Sequence, residues 1–291
     1  MLSLVIPAHN EALVIARCLE SATAGARPEE LDVVVVCNGC TDDTAAIARA
    51  FPFPSRIIET PVASKTLALN LADRIARGFP RFYLDADAVV TWPSICAVVE
   101  AMKSQAGLLA AAPKISVDVN GSSWPVRAFY QAWLELPYFH TGMIGSGLYV
   151  LSEAGRARFG DFPETLAEDS FVRLLFHLHE RCTVTTAEFT IFAPSNLRNL
   201  IAIKTRGRVG GLQLAAQFPH LAAADRKPYL PALMRILRQP RLWAGLPVYF
   251  AITALTRIRA RHRLQRGDLH WDQDQSSRDR FRTESYPPGT S

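Results

Sequence analysis

The sequence contains little cysteine, with five among 291 residues. The number is odd and the spacing matches no small disulfide-bonded domain, so we expect free thiols in a reducing compartment, the cytoplasm. Cys37 and Cys40 form a Cys-x-x-Cys pair, which fits either a redox pair or half of a zinc site. The sequence shows no second pair and no nearby histidine pair, and Asn38-Gly39 between the cysteines is typical of a turn.

The sequence also lacks an apolar run of the roughly 20 residues that a helix needs to cross a bilayer. Near the N-terminus, the apolar segment 2–6 meets Pro7 without a basic leader, so we expect no secretory signal. The most apolar stretch late in the chain, 242–255, has fourteen uncharged residues and is interrupted by Pro247. Arginines flank it, which leaves two alternatives: a helix lying in an anionic membrane face, or a buried helix with a basic tail.

Nucleic-acid recognition features are lacking as well. The formal net charge is +5, and many basic residues lie late in the chain: Arg235, Arg238, Arg241, Arg257, Arg259, Arg261, Arg263 and Arg266. No basic recognition helix and no interleaved aromatic RNA-binding signature accompanies them, so we expect no nucleic-acid partner. The charge distribution favours an anionic membrane surface as the partner, and we expect a peripheral protein at the inner face of the cell membrane.

The sequence does contain alternating strand and helix patterns. Four apolar runs are predicted strands, with amphipathic segments between them: 2–7, 33–36, 56–59 and 82–84. This alternation predicts an α/β fold with a mostly parallel central sheet and helices on both faces. We place one domain over residues 1–220, a helical and membrane-surface segment over 221–271, and a frayed polar tail over 272–291.

Two later segments allow more than one interpretation. Residues 122–140 contain seven rings, which fit either a core or a platform for a sugar or an apolar tail: Trp124, Phe129, Tyr130, Trp133, Tyr138, Phe139 and His140. Residues 198–217 are helical in part, and their glycines predict a loop in the middle. The basic residues there, Lys204 among them, are available to a phosphate or to water.

Two acids close the fourth predicted strand, Asp85 and Asp87. Side chains at i and i+2 of a strand point the same way, so both carboxylates should face one cavity. Two close carboxylates repel each other unless a cation lies between them. A divalent ion such as Mg²⁺ or Mn²⁺, completed by water and substrate phosphate, fits this need. A solvated turn is the alternative.

Other polar residues are predicted to meet this acid pair. In parallel sheets, ligands bind beyond the carboxyl ends of the strands, where the segments 7–11, 37–42 and 85–87 should gather. A second acidic pair, Glu168-Asp169, begins a predicted helix. Acids are also favoured at that position by the helix dipole alone, so capping is an alternative to catalysis.

Five motifs occur together in one order, and together they resemble the family-2 glycosyltransferases of the GT-A fold. They are Val-Ile-Pro-Ala-His-Asn-Glu at 5–11, Cys-Asn-Gly-Cys-Thr-Asp-Asp-Thr at 37–44, Ser-Lys-Thr-Leu-Ala-Leu-Asn at 64–70, Leu-Asp-Ala-Asp at 84–87 and Glu-Asp at 168–169. The resemblance covers residues 1–180. It implies a GT-A nucleotide-sugar-binding fold, a nucleotide-sugar donor, a divalent metal and inversion at the anomeric carbon.

The resemblance also implies roles for single residues. Pro7, His9 and Glu11 would line the nucleotide pocket, and Lys65 would lie near the nucleotide or its phosphates. Asn38 stands where the family often has a base-binding Asp; its carbonyl can still accept from a uracil imide, so the expected donor is a UDP-sugar. Asp85 would hold the ribose or metal-bound water, Asp87 would bind the metal, and Asp169 would be the general base.

These expectations lead to one main hypothesis: an inverting, metal-dependent transferase that acts on a glycan or lipid-linked acceptor. A nucleotidyltransferase also uses acids on such a sheet, but Pro7-Ala8-His9-Asn10 stands where those enzymes carry a glycine-rich basic loop. A non-catalytic glycan-binding relative is the third alternative, because a fold does not fix a function.

Overall fold

The computed structural model describes residues 1–136, 139, 142, 146–224, 239–267 and 278. Within these residues, eight strands form one sheet: β1 (Leu2–Ala8), β2 (Leu31–Asn38), β3 (Ser55–Thr60), β4 (Arg81–Leu84), β5 (Val89–Val90), β6 (Ala110–Asp118), β7 (Leu148–Leu151) and β8 (Arg181–Phe192). Their order across the sheet is β3-β2-β1-β4-β7-β6-β8-β5.

The sheet has a parallel part and a mixed part. The four strands β3, β2, β1 and β4 are parallel, with Leu4 of β1 opposite Val33 of β2. Strand β7 runs antiparallel to both of its neighbours, β4 and β6, and β5 runs antiparallel to β8. The predicted α/β class with a mostly parallel sheet is confirmed, and the antiparallel pairs lie in the half where the sequence alternation fades.

Helices cover both faces of the sheet. The helices are α1 (Ile15–Thr23), α2 (Thr44–Ala50), α3 (Lys65–Ile75), α4 (Trp92–Ser104), α5 (Trp124–Leu134), α6 (Glu153–Arg156), α7 (Glu168–Leu174), α8 (Leu197–Gln217), α9 (Pro219–Ala224) and α10 (Leu246–Gln265), and a 3-10 helix spans Pro240–Gly245. Alternate residues of β2 pack on opposite sides. Val35 lies in the core cluster of Leu19 from α1, whereas Val34 lies in the cluster of Leu69 from α3. Each buried leucine of this kind stabilises the fold by about 1.5–3 kcal/mol.

Helix α8 corrects one prediction from the sequence. Its glycines were expected to form a loop, but the helix is continuous from Leu197 to Gln217. Gly210 allows close packing, because a Cβ atom there would lie 2.9 Å from the Leu166 carbonyl carbon and 3.0 Å from the Ala167 Cβ. The glycine therefore lets α8 approach the segment that leads into α7, and helix interiors tolerate such a glycine at a cost of about 1 kcal/mol.

The late apolar stretch, 242–255, forms most of the 3-10 helix and the first half of α10. Helix α10 packs against α5 and α8 through Ile252, Thr256 and Ala260, all of which are buried. Its opposite side exposes Phe250 and Ile258. This packing supports the buried-helix alternative for the inner face, and none of the described helices is long and apolar enough to span a bilayer. Contact of the outer face with a membrane surface stays a prediction, as do the proposed segment boundaries.

Some predictions concern residues outside the described part of the chain. They include Tyr138 and His140 of the aromatic stretch, Arg235 and Arg238 of the basic region, and the 272–291 tail apart from Arg278. Arg278 does not fit the prediction of a frayed tail, because it is buried, with 6% of its surface exposed.

Candidate active site

A cleft of about 1450 Å³ opens at the carboxyl ends of β1, β2 and β4. Its lining includes every site residue predicted from the sequence: Pro7, His9, Glu11, Asn38, Lys65, Asp85, Asp87 and Asp169. The parallel strands explain this gathering, since their carboxyl ends share one edge of the sheet. The structure thus brings the predicted residues together, while their individual roles stay predictions.

The first wall of the cleft is built from the ends of β1 and β2. Asn38, the last residue of β2, donates from its side-chain nitrogen to the Ala8 carbonyl over 2.9 Å. The His9 Nδ1 lies 2.6 Å from the backbone carbonyl of Asn38. These contacts tie the two loops together and occupy the amide nitrogen of Asn38, so its side-chain oxygen is the acceptor that remains for a ligand.

Asp85 pairs with a half-buried lysine at the floor of the cleft. Lys65, the first residue of α3, places its Nζ 2.5 Å from Asp85 Oδ1 and 2.5 Å from Glu168 Oε1. Burial by itself lowers the pKa of Lys65, but Asp85 and Glu168 outweigh burial and hold it above its usual value. Burial raises the pKa of Glu168, and the Lys65 ammonium opposes this rise. The lysine thus joins β4, α3 and α7 at one point.

Asp87 and Glu11 share a different cation. The Arg278 guanidinium donates to both carboxylate oxygens of Glu11, at 2.6 and 2.5 Å, and to Asp87 Oδ2 at 3.1 Å. The Asp87 side chain keeps 41% of its surface exposed. Sequence reasoning missed both Arg278 and the ion-pair role of Glu168. Arg278 belongs to none of the sequence motifs, and only folding brings it next to Glu11.

Asp169 lies in the first turn of α7 and faces the cleft. Its Oδ1 accepts a hydrogen bond from the Ser170 backbone N–H over 2.6 Å, which fixes the carboxylate. The segment before it packs closely against α8 at Gly210. The predicted general base is therefore partly exposed, and the segment that precedes it packs against α8.

The opposite wall is formed by α5, α8 and α10. Phe129, Tyr130 and Trp133 are 3%, 4% and 9% exposed, yet all three line the cleft. The aromatic stretch therefore serves as core and as cleft wall at once. The Lys204 Nζ lies 3.8 Å from the centre of the Trp133 ring, 4.8 Å from that of Tyr130 and 5.3 Å from that of Phe129.

The donor set of the cleft fits a hard cation better than a soft one. Asp85 and Asp87 offer carboxylate oxygens, with 35% and 41% of their side chains exposed. Among the described residues, no group of three His, Cys, Asp or Glu side chains forms a closed metal cage. Mg²⁺ and Mn²⁺ suit such a sparse set, because they keep several waters and bind substrate phosphate. Cys37 and Cys40 are free thiols, and nothing in the described chain completes a zinc site around them.

Comparison with known proteins establishes the family. Residues 3–160 match the model of glycosyl transferase family 2, which covers more than half of the chain. The chain belongs to this family. No curated protein sequence matches it significantly.

Solved structures share the fold at low sequence identity. One is the mannosyltransferase PcManGT from Pyrobaculum calidifontis in complex with GDP-Man and Mn²⁺, with 22% identity, coverage of 91% of this chain and 79% of that chain, and a TM-score of 0.58. Another is glucosyl-3-phosphoglycerate synthase from Mycobacterium tuberculosis in complex with Mn²⁺ and UDP-Glc, with 18% identity, coverage of 74% and 78%, and a TM-score of 0.54. The predicted GT-A fold is confirmed.

Proposed function

We propose that this glycosyltransferase is an inverting, metal-dependent enzyme that moves a sugar from a UDP-sugar to a hydroxyl of a glycan or lipid-linked acceptor. The observation that carries the proposal is the shared cleft of Asp85, Asp87 and Asp169. Two of these carboxylates follow β4, and the third lies in the first turn of α7. A donor diphosphate at the first pair would leave the sugar between that pair and Asp169.

The leaving group needs charge compensation. Departure of a nucleoside diphosphate develops negative charge on its bridging oxygen. A Mg²⁺ or Mn²⁺ ion held by Asp87, with Asp85 near it, would supply that compensation when bound. The described neighbours support such an ion, since PcManGT was solved with Mn²⁺ and GDP-Man and the synthase with Mn²⁺ and UDP-Glc.

The nucleotide would lie against the first wall. Pro7, His9 and Glu11 border this part of the cleft, and the Asn38 side-chain oxygen is available to accept from a base N–H. A uracil imide N–H suits that acceptor, which supports a UDP-sugar. Lys65 holds Asp85 in place through its ion pair, so the carboxylate meets the donor in a fixed position.

The acceptor would be activated by Asp169. An acceptor hydroxyl has a pKa far above neutrality and must lose a proton as it attacks the anomeric carbon. A positioned carboxylate gives general-base help of roughly 10²–10⁴-fold. Attack from the side of α7, opposite the diphosphate, inverts the anomeric configuration.

The place of action that we propose is the inner face of the cell membrane. Helix α10 exposes Phe250 and Ile258 on its outer side, and Arg257 and Arg259 flank Ile258 in the sequence. Apolar side chains flanked by arginines favour a peripheral position on an anionic surface. A lipid-linked acceptor would be met there.

A donor assay tests the proposal. Purified full-length protein is incubated with UDP-, GDP- and TDP-sugars, with Mn²⁺, Mg²⁺ or EDTA, and nucleoside diphosphate release is measured. We expect metal-dependent release from one donor class, with the fastest release from UDP-sugars. Release of pyrophosphate from a nucleoside triphosphate and a sugar phosphate would instead indicate a nucleotidyltransferase. Donor binding without release, even with acceptor extracts, would indicate a non-catalytic relative.

A further inference from the structure

We propose that the wall formed by α5, α8 and α10 contains a phosphate subsite for the acceptor, centred on Lys204. The proposal rests on the proposed function and names the chemical class of its acceptor. Lys204 lies on α8 and borders the same cleft as Asp169. Its ammonium stacks over Trp133 at 3.8 Å and forms no ion pair with any carboxylate in the described part of the chain.

The surroundings of Lys204 favour an anion. Arg206 and Arg208 follow on the same helix and also line the cleft, and Arg208 is oriented by a 2.8 Å hydrogen bond from its Nε to Thr256 of α10. Burial, followed by the positive charges of Arg208 and Arg206, lowers the pKa of Lys204 to about 7. A bound anion would offset both effects, because it replaces lost solvation and screens the neighbouring cations.

The charge distribution in the cleft orients the acceptor. On the β4 and α7 side, Lys65 and Arg278 pair with Asp85 and Asp87. On the α8 and α10 side, Arg257 and Arg261 line the cleft together with Lys204. An anionic group of the acceptor is attracted by the second side, where these three cations form no ion pair with the acids described on the first. Its reactive hydroxyl then points towards Asp169.

A phosphate fits this subsite better than a carboxylate. A phosphate monoester carries about −1.5 to −2 charge at pH 7 and three acceptor oxygens. Several basic side chains on one wall match that number of acceptors, and hydrogen bonds between ionised groups are roughly twice as strong as neutral ones. The phosphate belongs either to a soluble sugar phosphate or to a lipid carrier, whose chain would lie along Tyr130, Trp133 and Leu136.

Calorimetric titration of the full-length chain tests the proposal with two matched pairs of probes. The pairs are glucose 6-phosphate with glucose, and decyl phosphate with decyl glucoside, all below their micellar concentrations. The donor pocket is filled with UDP and Mn²⁺ in one series and left without them in another. We expect each phosphate to bind at least tenfold more tightly than its neutral counterpart in both series. Tighter binding of decyl phosphate than of glucose 6-phosphate by tenfold or more assigns the phosphate to a lipid carrier; equal binding assigns it to a soluble acceptor.

The matched variants are Lys204→Met and Lys103→Met. Lys103 is exposed on α4 and does not border the cleft, so its variant controls for the loss of one surface lysine. We expect Lys204→Met to lose phosphate binding tenfold or more and Lys103→Met to match the wild type. Arg206→Met, with an unchanged melting temperature, gives the same readout if Lys204→Met does not fold.

Three results would overturn the subsite. They are equal phosphate binding by Lys204→Met and wild type, equal binding of phosphates and neutral probes, and weaker UDP binding as the main defect of Lys204→Met. The titrations without UDP and Mn²⁺ do not depend on transferase activity. Failure of the donor assay and failure of the subsite are therefore separate outcomes.

Discussion

The two sides of the cleft differ in the way their charges are compensated. On the donor side, Asp85 contacts Lys65, and Asp87 contacts Arg278. On the side proposed for the acceptor, which is formed by α5, α8 and α10, the Lys204 ammonium lies over the Trp133 ring and near Arg206 and Arg208. The donor side therefore holds acids whose positions the protein itself fixes, whereas the acceptor side presents positive charge that a ligand can neutralise. Ion pairs orient the carboxylates on the first side, and the positive charge around Lys204 suits the anionic acceptor proposed above.

The strongest test of this comparison is Asp169→Asn, because Asp169 is the proposed general base and lines the acidic side of the cleft. The amide cannot accept the acceptor proton, so we expect transfer to fall by about 10²–10⁴-fold. Donor affinity should stay at the wild-type value, as measured by calorimetry with the donor. Asp161→Asn, at an exposed site paired with Arg74, is the matched control. Weak donor binding by Asp169→Asn would remove this residue from the base role.

Asp87→Asn tests the donor side directly. Loss of one electrostatic stabiliser of the leaving group commonly costs about 10²–10³-fold in rate, and we expect transfer to fall at least that far. The response of nucleoside diphosphate release to added Mn²⁺ should disappear, while the circular dichroism spectrum stays unchanged. Near-normal turnover of this variant would contradict the metal role of Asp87.

Gly210→Ala links the two sides, because α8 belongs to the acceptor wall and contacts the segment that carries Asp169. The added Cβ would meet Leu166 backbone at 2.9 Å, so the segment must shift. Misplacement of a catalytic group by about 1 Å can cost up to 10²-fold, and we expect a roughly tenfold lower kcat. Gly207→Ala meets open space and should instead raise stability by about 0.5–1 kcal/mol. Equal kcat in the two variants would show that the close approach has no catalytic consequence.

Asp32 gives the smallest expected effect and lies at the start of β2, at the end of the sheet opposite the cleft. Burial raises its pKa, but hydrogen bonds from the Arg77 backbone N–H and the Ser3 hydroxyl, together with Arg56, outweigh burial and lower it. A lowered folded-state pKa means that this stabilisation is complete above the unfolded value of about 3.9 and is lost as pH falls through the folded value.

The measurement for Asp32 is the urea midpoint from pH 6 down to pH 2.5. Asp32→Asn should be less stable than the wild type at pH 6, and its midpoint should change less across the acid range. Transfer activity at neutral pH should be unchanged in the folded variant. Parallel acid profiles of the two proteins would show that Asp32 titrates alike in the folded and unfolded states.

The site residues on the side proposed for the donor were predictable from the sequence, because most lie at or just after the end of a predicted strand. Asp85 and Asp87 follow a strand directly, and the alternation of β1, β2 and β4 with helices fixes where strand ends meet. The acceptor side depends on contacts between distant segments. The number of rings in 122–140 could not distinguish a core from a cleft wall. The sequence also favours a loop at Gly210, because only the folded structure shows the backbone of Leu166 packed against it.

Strand β8 shows the same limit. Arg181–Phe192 pairs in parallel with β6, and its register shifts between Pro113 and Lys114 of that strand. A shift of this kind breaks the two-residue periodicity on which strand prediction depends. The sequence pattern therefore did not predict β8, although the strand completes the sheet between β6 and β5.

The Arg278 contact brings a late residue of the chain into the cleft, since 267 positions separate this arginine from its partner Glu11. A protein shortened ahead of residue 278 would keep all five sequence motifs and still lose the cation that pairs with Glu11 and Asp87. Its response to added divalent ions would then differ from that of the intact chain.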